Sequence, residues 1–386
     1  MLITIVTETF SPDINGVAMT LGNLIRGLAN AGHKVQLVCP ETKNRNISTL
    51  PKDVSYHPVR GITIPGYNEA KFGLPSKALL KKLWSTQRPD VIYVATEGPL
   101  GWRAIKIANS FGIPIVSGFH TNFHSYSSHY GVGLLEKFVA RYLVSLHNKT
   151  DLTLTPTVGQ KNMLESMDIK NVSVLSRGVD TELFSPVKRN VWLRKSWGVT
   201  SSNEPVLLYV GRIAAEKNLN LAVETYYALK KKNKLIKFVL VGDGPLLNKL
   251  KKEHSSFIFA GMQSGEALAK YYASSDIFVF PSKTETFGNV ILEAMASGLG
   301  VIAYDYAAAK MHIRHNKNGR LADFGDSVEF ISNAGHYLED YDFLEKIKTK
   351  ASQYARGQSW DEIVSQFENH LFEQAFKNFN NHVLYG

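Results

Sequence analysis

Short apolar runs of the kind that form buried parallel strands recur along the chain, separated by stretches with helical spacing. In the first half they are "MLITIV", "KVQLVCP", "DVIYVA" and "IPIVSGF"; in the second, "PVLLYVG", "KFVLVGDG", "IFVFPS" and "GVIAYD". Between them, "LLEKFVARYLVSLHNK" repeats Leu135, Phe138, Val139, Tyr142, Leu143 and Leu146 at helical intervals, with Lys137 and Arg141 interspersed. This alternation predicts two doubly wound α/β domains, each built on a parallel sheet. Pro186 and a polar run break the pattern in residues 183–192, so the join is expected there. The expected domains are 1–186 and 187–358, followed by an amphipathic helix in 359–386 that either closes the second domain or crosses back to the first.

Composition narrows the class. A chain of 386 residues with 44% hydrophobic and 20% charged residues can bury two sizeable cores. The lone Cys39 excludes an internal disulfide framework and a cysteine-rich metal site, and fits a reducing cytoplasm. "MLITIVTETF" has neither the basic start nor the cleavage region of a signal peptide, and no apolar run reaches the roughly 18 residues needed to span a bilayer. The protein is therefore expected to be cytoplasmic and to meet a membrane only peripherally, from its inner face. The net charge of +10 favours phosphate-bearing ligands, anionic lipid or nucleic acid without choosing among them. Both "SKALLKKLW", with Lys77, Lys81 and Lys82, and the helix around Arg141 fit packing on a sheet or resting on an anionic surface.

The densest chemistry lies in "ETFGNVILEAMASG", residues 285–298, where seven residues separate Glu285 from Glu293. On one continuous helix, eight steps of about 100° would leave them roughly 80° apart, on different faces. The spacing instead predicts Glu285 in the loop before a helix and Glu293 about a turn inside it. Gly288 and Asn289 then offer backbone N–H groups at the helix start to anions or hydroxyls. Glu285 is placed to accept hydrogen bonds from sugar hydroxyls, and Glu293 to grip a ribose diol. A helix-start glutamate that merely complements the helix dipole is the competing explanation, and it accounts poorly for the whole pattern.

Other fragments are weaker alone. Gly211 ends "PVLLYVG", with Arg212 next and Lys217 five residues further on. Two cations at a strand end suit a diphosphate, and a solvated loop suits the fragment equally. Gly242 and Gly244 lack the third glycine of a dinucleotide fingerprint, which leaves a tight turn lining a cleft. "SPDINGVA" puts Asn15 and Gly16 before a helix, as a simple turn or as a place where phosphate or sugar approaches. "SGFHTNFHSYSSHYG" carries His120, His124 and His129 without a local carboxylate, so a polar substrate contact by His120 is favoured over metal ligation. Asp340 and Asp342 imitate an aspartate-x-aspartate metal motif but sit in a helical surface pattern.

Taken together, "TETFSPDINGV", "GFHTNFHSY", "LSRGVDTELFSP", "YVGRIAAEKNL" and "FPSKTETFGNVILEAMASGLGVIAYD" resemble the family 4 retaining, nucleotide-sugar-dependent glycosyltransferases of GT-B fold, over nearly the whole chain. The subset it looks most like includes GDP-mannose-dependent α-mannosyltransferases and related enzymes that glycosylate membrane lipids. The resemblance implies two Rossmann-like domains facing a central cleft. It assigns the donor diphosphate to Arg212 and Lys217, the sugar to Glu285 with the amides of Phe287, Gly288 and Asn289, and the ribose to Glu293. Gly16 would lie beside the phosphates, His120 against the transferred sugar, Met262 against the base, and Arg177 at the rim. Gly211 and Gly242 join the donor side, Asn122 and Tyr126 the acceptor side. One departure is visible: "YAAAKMHIRHNKNGRL" stands where the family has a glycine-rich loop with a carboxylate.

The implied reaction is transfer of a hexose, best matched by mannose from GDP-mannose, to a glycolipid or glycan acceptor, by front-face substitution without a metal or other cofactor. No second opposed carboxylate supports a retaining-glycosidase scheme. A UDP-sugar donor is the alternative within enzymes, and a catalytically silent partner protein outside them. An exported sugar-binding protein would need a leader, and scattered basic residues without a recognition module argue against nucleic acid.

Overall fold

Each quoted apolar run becomes a strand, because β-branched and aromatic residues buried on both faces suit the interior of a parallel sheet. The computed structural model describes residues 1–13, 15–42, 50–64, 67–74, 77–120, 133–201, 204–285 and 288–383. The chain divides into two units, the first running Met1–Arg177 and recovering the C-terminal segment from Trp360, the second running Gly178–Ser359.

In the first unit the strands are β1 (Leu2–Val6), β2 (Lys34–Pro40), β3 (Val54–Val59), β4 (Gly61–Ile64), β5 (Tyr67–Gly73), β6 (Val91–Val94), β7 (Ile115–Gly118), β8 (Leu152–Thr155) and β9 (Val172–Val174). A parallel sheet has the order β3-β2-β1-β6-β7-β8-β9, while β4 and β5 form a separate antiparallel pair. Helix Gly16–Asn30 starts on Asn15, whose Oδ1 accepts from the N–H groups of Val17 (3.1 Å) and Ala18 (2.9 Å). Helix Lys77–Thr86 buries Leu80 and Trp84 against the sheet and keeps Lys77, Lys81 and Lys82 in solvent. In helix Gly133–His147, Leu143 and Leu146 are buried, whereas Phe138 is 70% exposed.

The second unit repeats the scheme with β10 (Val206–Val210), β11 (Lys237–Val241), β12 (Ile258–Gly261), β13 (Ile277–Phe280), β14 (Gly300–Tyr304) and β15 (Arg320–Ala322), in the order β12-β11-β10-β13-β14-β15. In both sheets the order reverses beside the first strand, between β1 and β6 and between β10 and β13. Crevices at the carboxyl ends of strands form at such switch points.

The join lies ahead of Pro186. Residues 178–186, expected with the first domain, belong to the second unit: Val179 N–H donates to the Gln358 carbonyl (2.9 Å), and Phe184 packs edge-on against Tyr272 in the core. Pro186 opens a short 3-10 turn, Pro186–Lys188, which is why it resembled a linker. The C-terminal helix Trp360–Val383 packs on Gly16–Asn30 and β6, with Ile363, Phe367 and Leu371 buried in the first unit's core. Asp340 lies where two helices meet, its side chain capping Tyr341–Arg356 through the Phe343 N–H (2.8 Å).

Candidate active site

In the second unit the carboxyl ends of the central strands are laced together by backbone. Gly211 N–H donates to the Val241 carbonyl (3.0 Å) and Gly242 N–H to the Gly261 carbonyl (2.9 Å). Gly242 has φ +139°, and a Cβ there would stand 2.0 Å from the Gly211 carbonyl oxygen. Gly242→Ala is therefore expected to cost at least about 1–3 kcal/mol, read as a lower urea midpoint at unchanged m-value. Tyr209, buried in β10, donates its hydroxyl to the Arg212 carbonyl (3.0 Å) and so braces the loop that follows.

That loop turns through Ala215–Lys217 and delivers Lys217 to Glu285. The ammonium is 2.5 Å from Glu285 Oε1 and donates to the Thr284 carbonyl (3.2 Å). Both side chains are mostly buried, at 18% and 15% exposure. An ammonium has three protons, and these two contacts leave one for a further oxygen. Arg212 is 67% exposed and reaches Glu216 at 3.5 Å, whereas Lys217 is mostly buried.

Glu285 sits in the loop ahead of helix Asn289–Ala296, with Glu293 inside that helix. Gly288 occupies the N-cap at φ +95°, where a side chain is disfavoured, and no side chain caps the first turn. Tyr306 donates its hydroxyl to the Glu285 carbonyl (3.2 Å), and a small hollow beside Glu285 is lined by Phe280, Ser282, Tyr304, Tyr306 and Ala308. Ser282 Oγ and Asn289 Oδ1 are buried without a hydrogen-bond partner. Glu293 accepts from Tyr272 (2.9 Å) through Oε2, and burial pushes its carboxyl up to about 7. Met262, just beyond β12, is 72% exposed. Alanines 307–309 start helix Ala307–His312; Lys310 pairs with Asp305 at the surface (3.2 Å), and His312 is buried against Tyr354.

The first unit holds a second polar group. Gly16 lies under Arg177: a Cβ there would be 2.9 Å from Nη1. A guanidinium over a helix N-terminus joins a full positive charge to the positive end of the dipole, an arrangement that attracts anions. Burial lowers Arg177 to about 10, which leaves it charged at neutral pH. His120, beyond β7, meets the Tyr93 hydroxyl at 3.0 Å through Nε2, and its Nδ1 is buried without a partner. Burial, with the charges of Arg177 and His147 added, pushes His120 down to about 3, so the ring is neutral.

The structure thus joins Lys217 to Glu285, Gly211 to Gly242, and Gly16 to Arg177. Asn122, Tyr126 and Phe287, like His124 and His129, lie outside the described residues. Tyr93, Tyr272, Tyr306 and Ser282 were not singled out from the sequence; buried tyrosines and a serine carry no local motif, and their partners come from distant segments. Among the described residues no group of three or more His, Cys, Asp or Glu is placed to hold a metal, and no helix is long and apolar enough to cross a membrane.

Two doubly wound parallel sheets, of seven and six strands, match the architecture of the GT-B glycosyltransferases. Models of the glycosyl transferases group 1 and of glycosyltransferase family 4 match residues 204–340 and 14–183. A GDP-mannose-dependent alpha-mannosyltransferase of Mycolicibacterium smegmatis is 32% identical over 325 residues, covering 84% of both chains. An alpha-monoglucosyldiacylglycerol synthase of Streptococcus pneumoniae is 29% identical over 79% of this chain and 71% of its own. The crystal structure of Anabaena HepE in complex with UDP superposes with a TM-score of 0.75 at 20% identity, over 97% of this chain and all of that one, which shows the shared fold. The chain belongs to glycosyltransferase family 4 and is a retaining hexosyltransferase.

Proposed function

We propose that this enzyme transfers mannose from GDP-mannose to a glycolipid or glycan acceptor without a metal ion. The observation that carries the reading is the mostly buried Lys217–Glu285 pair, which supplies one fixed cation for a diphosphate and one carboxylate for sugar hydroxyls. Lys217, with Arg212, stabilises the charge that develops on the leaving diphosphate. Glu285, the amides at Gly288 and Asn289, and His120 orient the sugar; the phosphate side also draws on Gly16 and Arg177. The bond from C1 to the diphosphate oxygen breaks as the acceptor oxygen bonds to C1 on the same face. The acceptor proton passes to the leaving phosphate oxygen, so no protein base is required. Met262 serves the base, and Asn122 and Tyr126 the acceptor.

The mannosyl donor is supported by the 32% identical relative named for GDP-mannose. A UDP-sugar donor is the second reading, supported by the monoglucosyl relative, whose name also supports a lipid acceptor. Peripheral contact with an anionic membrane is supported by a hollow in the first unit where Lys137, Arg141 and Lys149 outnumber the single acidic residue, Asp168.

A thermal-shift comparison tests the donor. At about 100 times its Kd a ligand adds roughly 2.7 kcal/mol, a rise of several degrees in Tm. GDP and GDP-mannose are expected to give that rise in chelator and UDP-glucose none; a rise with UDP-glucose alone would reverse the assignment.

Glu293 makes donor binding pH-dependent. Its folded pKa of about 7 lies above the ordinary 4.5, so the stability it contributes is full below 4.5 and lost as pH rises through about 7. A ribose diol donates best to the ionised carboxylate, while the diphosphate of a nucleotide sugar has no titration near neutrality. GDP-mannose affinity is therefore expected to rise from about pH 6 to about pH 8 in calorimetry, and Glu293→Gln to flatten that rise.

A further inference from the structure

The bond between Tyr93 and His120 is held from several sides. Tyr93, on β6, is fully buried, and its ring stands edge-on to Phe367 of the C-terminal helix with centroids 4.8 Å apart. The end of β7 is cut away beneath the contact: a Cβ on Gly118 would stand 2.3 Å from Tyr93 Oη and 2.7 Å from His120 Nε2. Three separate elements therefore meet to bring one phenol to one imidazole nitrogen at 3.0 Å.

The direction of that hydrogen bond decides what His120 offers to a substrate. If Nε2 carried the proton, the Tyr93 hydroxyl would accept, leaving its own O–H buried with no acceptor and the Nδ1 lone pair buried with no donor. If Tyr93 donates, a single group is left over, the Nδ1–H. Each buried polar group without a partner costs its desolvation, so the second arrangement is favoured.

We propose that Tyr93 is a positioning residue: its hydroxyl donates to His120 Nε2, fixes the neutral ring as the Nδ1–H tautomer, and so presents a donor, and no acceptor, to an oxygen of the transferred sugar. The sugar contact rests on the function proposed above; the tautomer rests on the local geometry alone. Imidazole free in water prefers its proton on Nε2, so the protein holds this ring against its own preference. Nδ1 is buried without a partner, which leaves its hydrogen-bonding position open for the sugar contact proposed above.

Nitrogen NMR of the ligand-free full chain, labelled in histidine, tests this directly, with the His120 signals identified by their loss in His120→Ala. The wild type is expected to carry the proton on Nδ1. Tyr93→Phe keeps the ring against Phe367 and is expected to move the population toward Nε2–H and to lower kcat about tenfold, the worth of one hydrogen bond. A wild-type ring protonated on Nε2, or a Tyr93→Phe ring still wholly Nδ1–H, would overturn the proposal, and the wild-type spectrum decides even if the variant folds poorly. The sugar contact is read separately. A Nδ1–H ring combined with normal turnover in His120→Ala would leave the tautomer standing and remove the sugar contact. A Nε2–H ring with lost turnover would do the reverse.

Discussion

Glu285→Ala is expected to lower kcat by about 100-fold to about 1000-fold, the scale seen when a preorganised polar contact to the reacting group is removed, while GDP affinity holds or improves. The asymmetry follows from the pair. Removing the carboxylate takes away the proposed acceptor for sugar hydroxyls, but it leaves the Lys217 ammonium tied to the Thr284 carbonyl and less neutralised than before. A diphosphate therefore meets a more positive site. Initial rates with saturating donor, set beside calorimetric binding of GDP, separate the two effects. A variant that lost GDP binding and turnover in equal measure would show that Glu285 supports the nucleotide side instead. Tyr306 still reaches the backbone carbonyl of residue 285 in this variant, so the loop keeps one of its anchors.

Lys217→Ala should fail in the opposite manner. It strands the mostly buried Glu285 carboxylate beside the proposed diphosphate position and removes the cation that is held there by two contacts. Donor affinity and kcat are both expected to fall, kcat by on the order of 100-fold or more. Arg212 does not replace it, since its guanidinium is two-thirds exposed and already shared with Glu216, and ordering it on a ligand costs side-chain entropy. In the double variant the losses should not add, because each single change leaves a charge that the other would have neutralised. A coupling of about 0.5–3 kcal/mol is expected from the cycle. Strict additivity in kcat would mean that the two side chains act independently, contrary to their 2.5 Å contact.

What the chain displayed in advance, and what it hid, divides along sequence distance. The two doubly wound sheets were legible because apolar runs such as "PVLLYVG" and "IFVFPS" are long enough to mark a buried strand, whereas β9 and β15, three residues each, are too short to do so. β8 carries Thr153 and Thr155, whose hydroxyls break the apolar pattern yet are buried, Thr153 sharing a bonded network with Ser117 and His147. The domain join was misplaced because Pro186 signals a turn, and a turn inside a unit looks the same as one between units. Within the site, Glu285, Gly288 and Glu293 stood out as one local motif. Lys217 and Glu285 meet across a separation of 68 residues, Tyr93 and His120 across 27, and Tyr272 and Glu293 across 21. Periodicity places each of these residues on its element, but only the packed sheet selects which distant hydroxyl reaches which carboxylate or imidazole. The buried Ser282 and Asn289 oxygens illustrate the same limit, since neither residue type marks itself as buried.

The central claim is that this enzyme takes its sugar from GDP-mannose by way of the Lys217–Glu285 pair and without a metal. The most direct measurement is the initial rate of nucleoside diphosphate release in chelator, with a glycolipid acceptor mixture, from GDP-mannose and from UDP-glucose, for the wild type and for Glu285→Ala. The account predicts GDP release by the wild type, undiminished by the chelator, with little UDP release and almost none of either from the variant. Release of UDP alone, a rate that vanishes when divalent ions are removed, or a variant as fast as the wild type would contradict it.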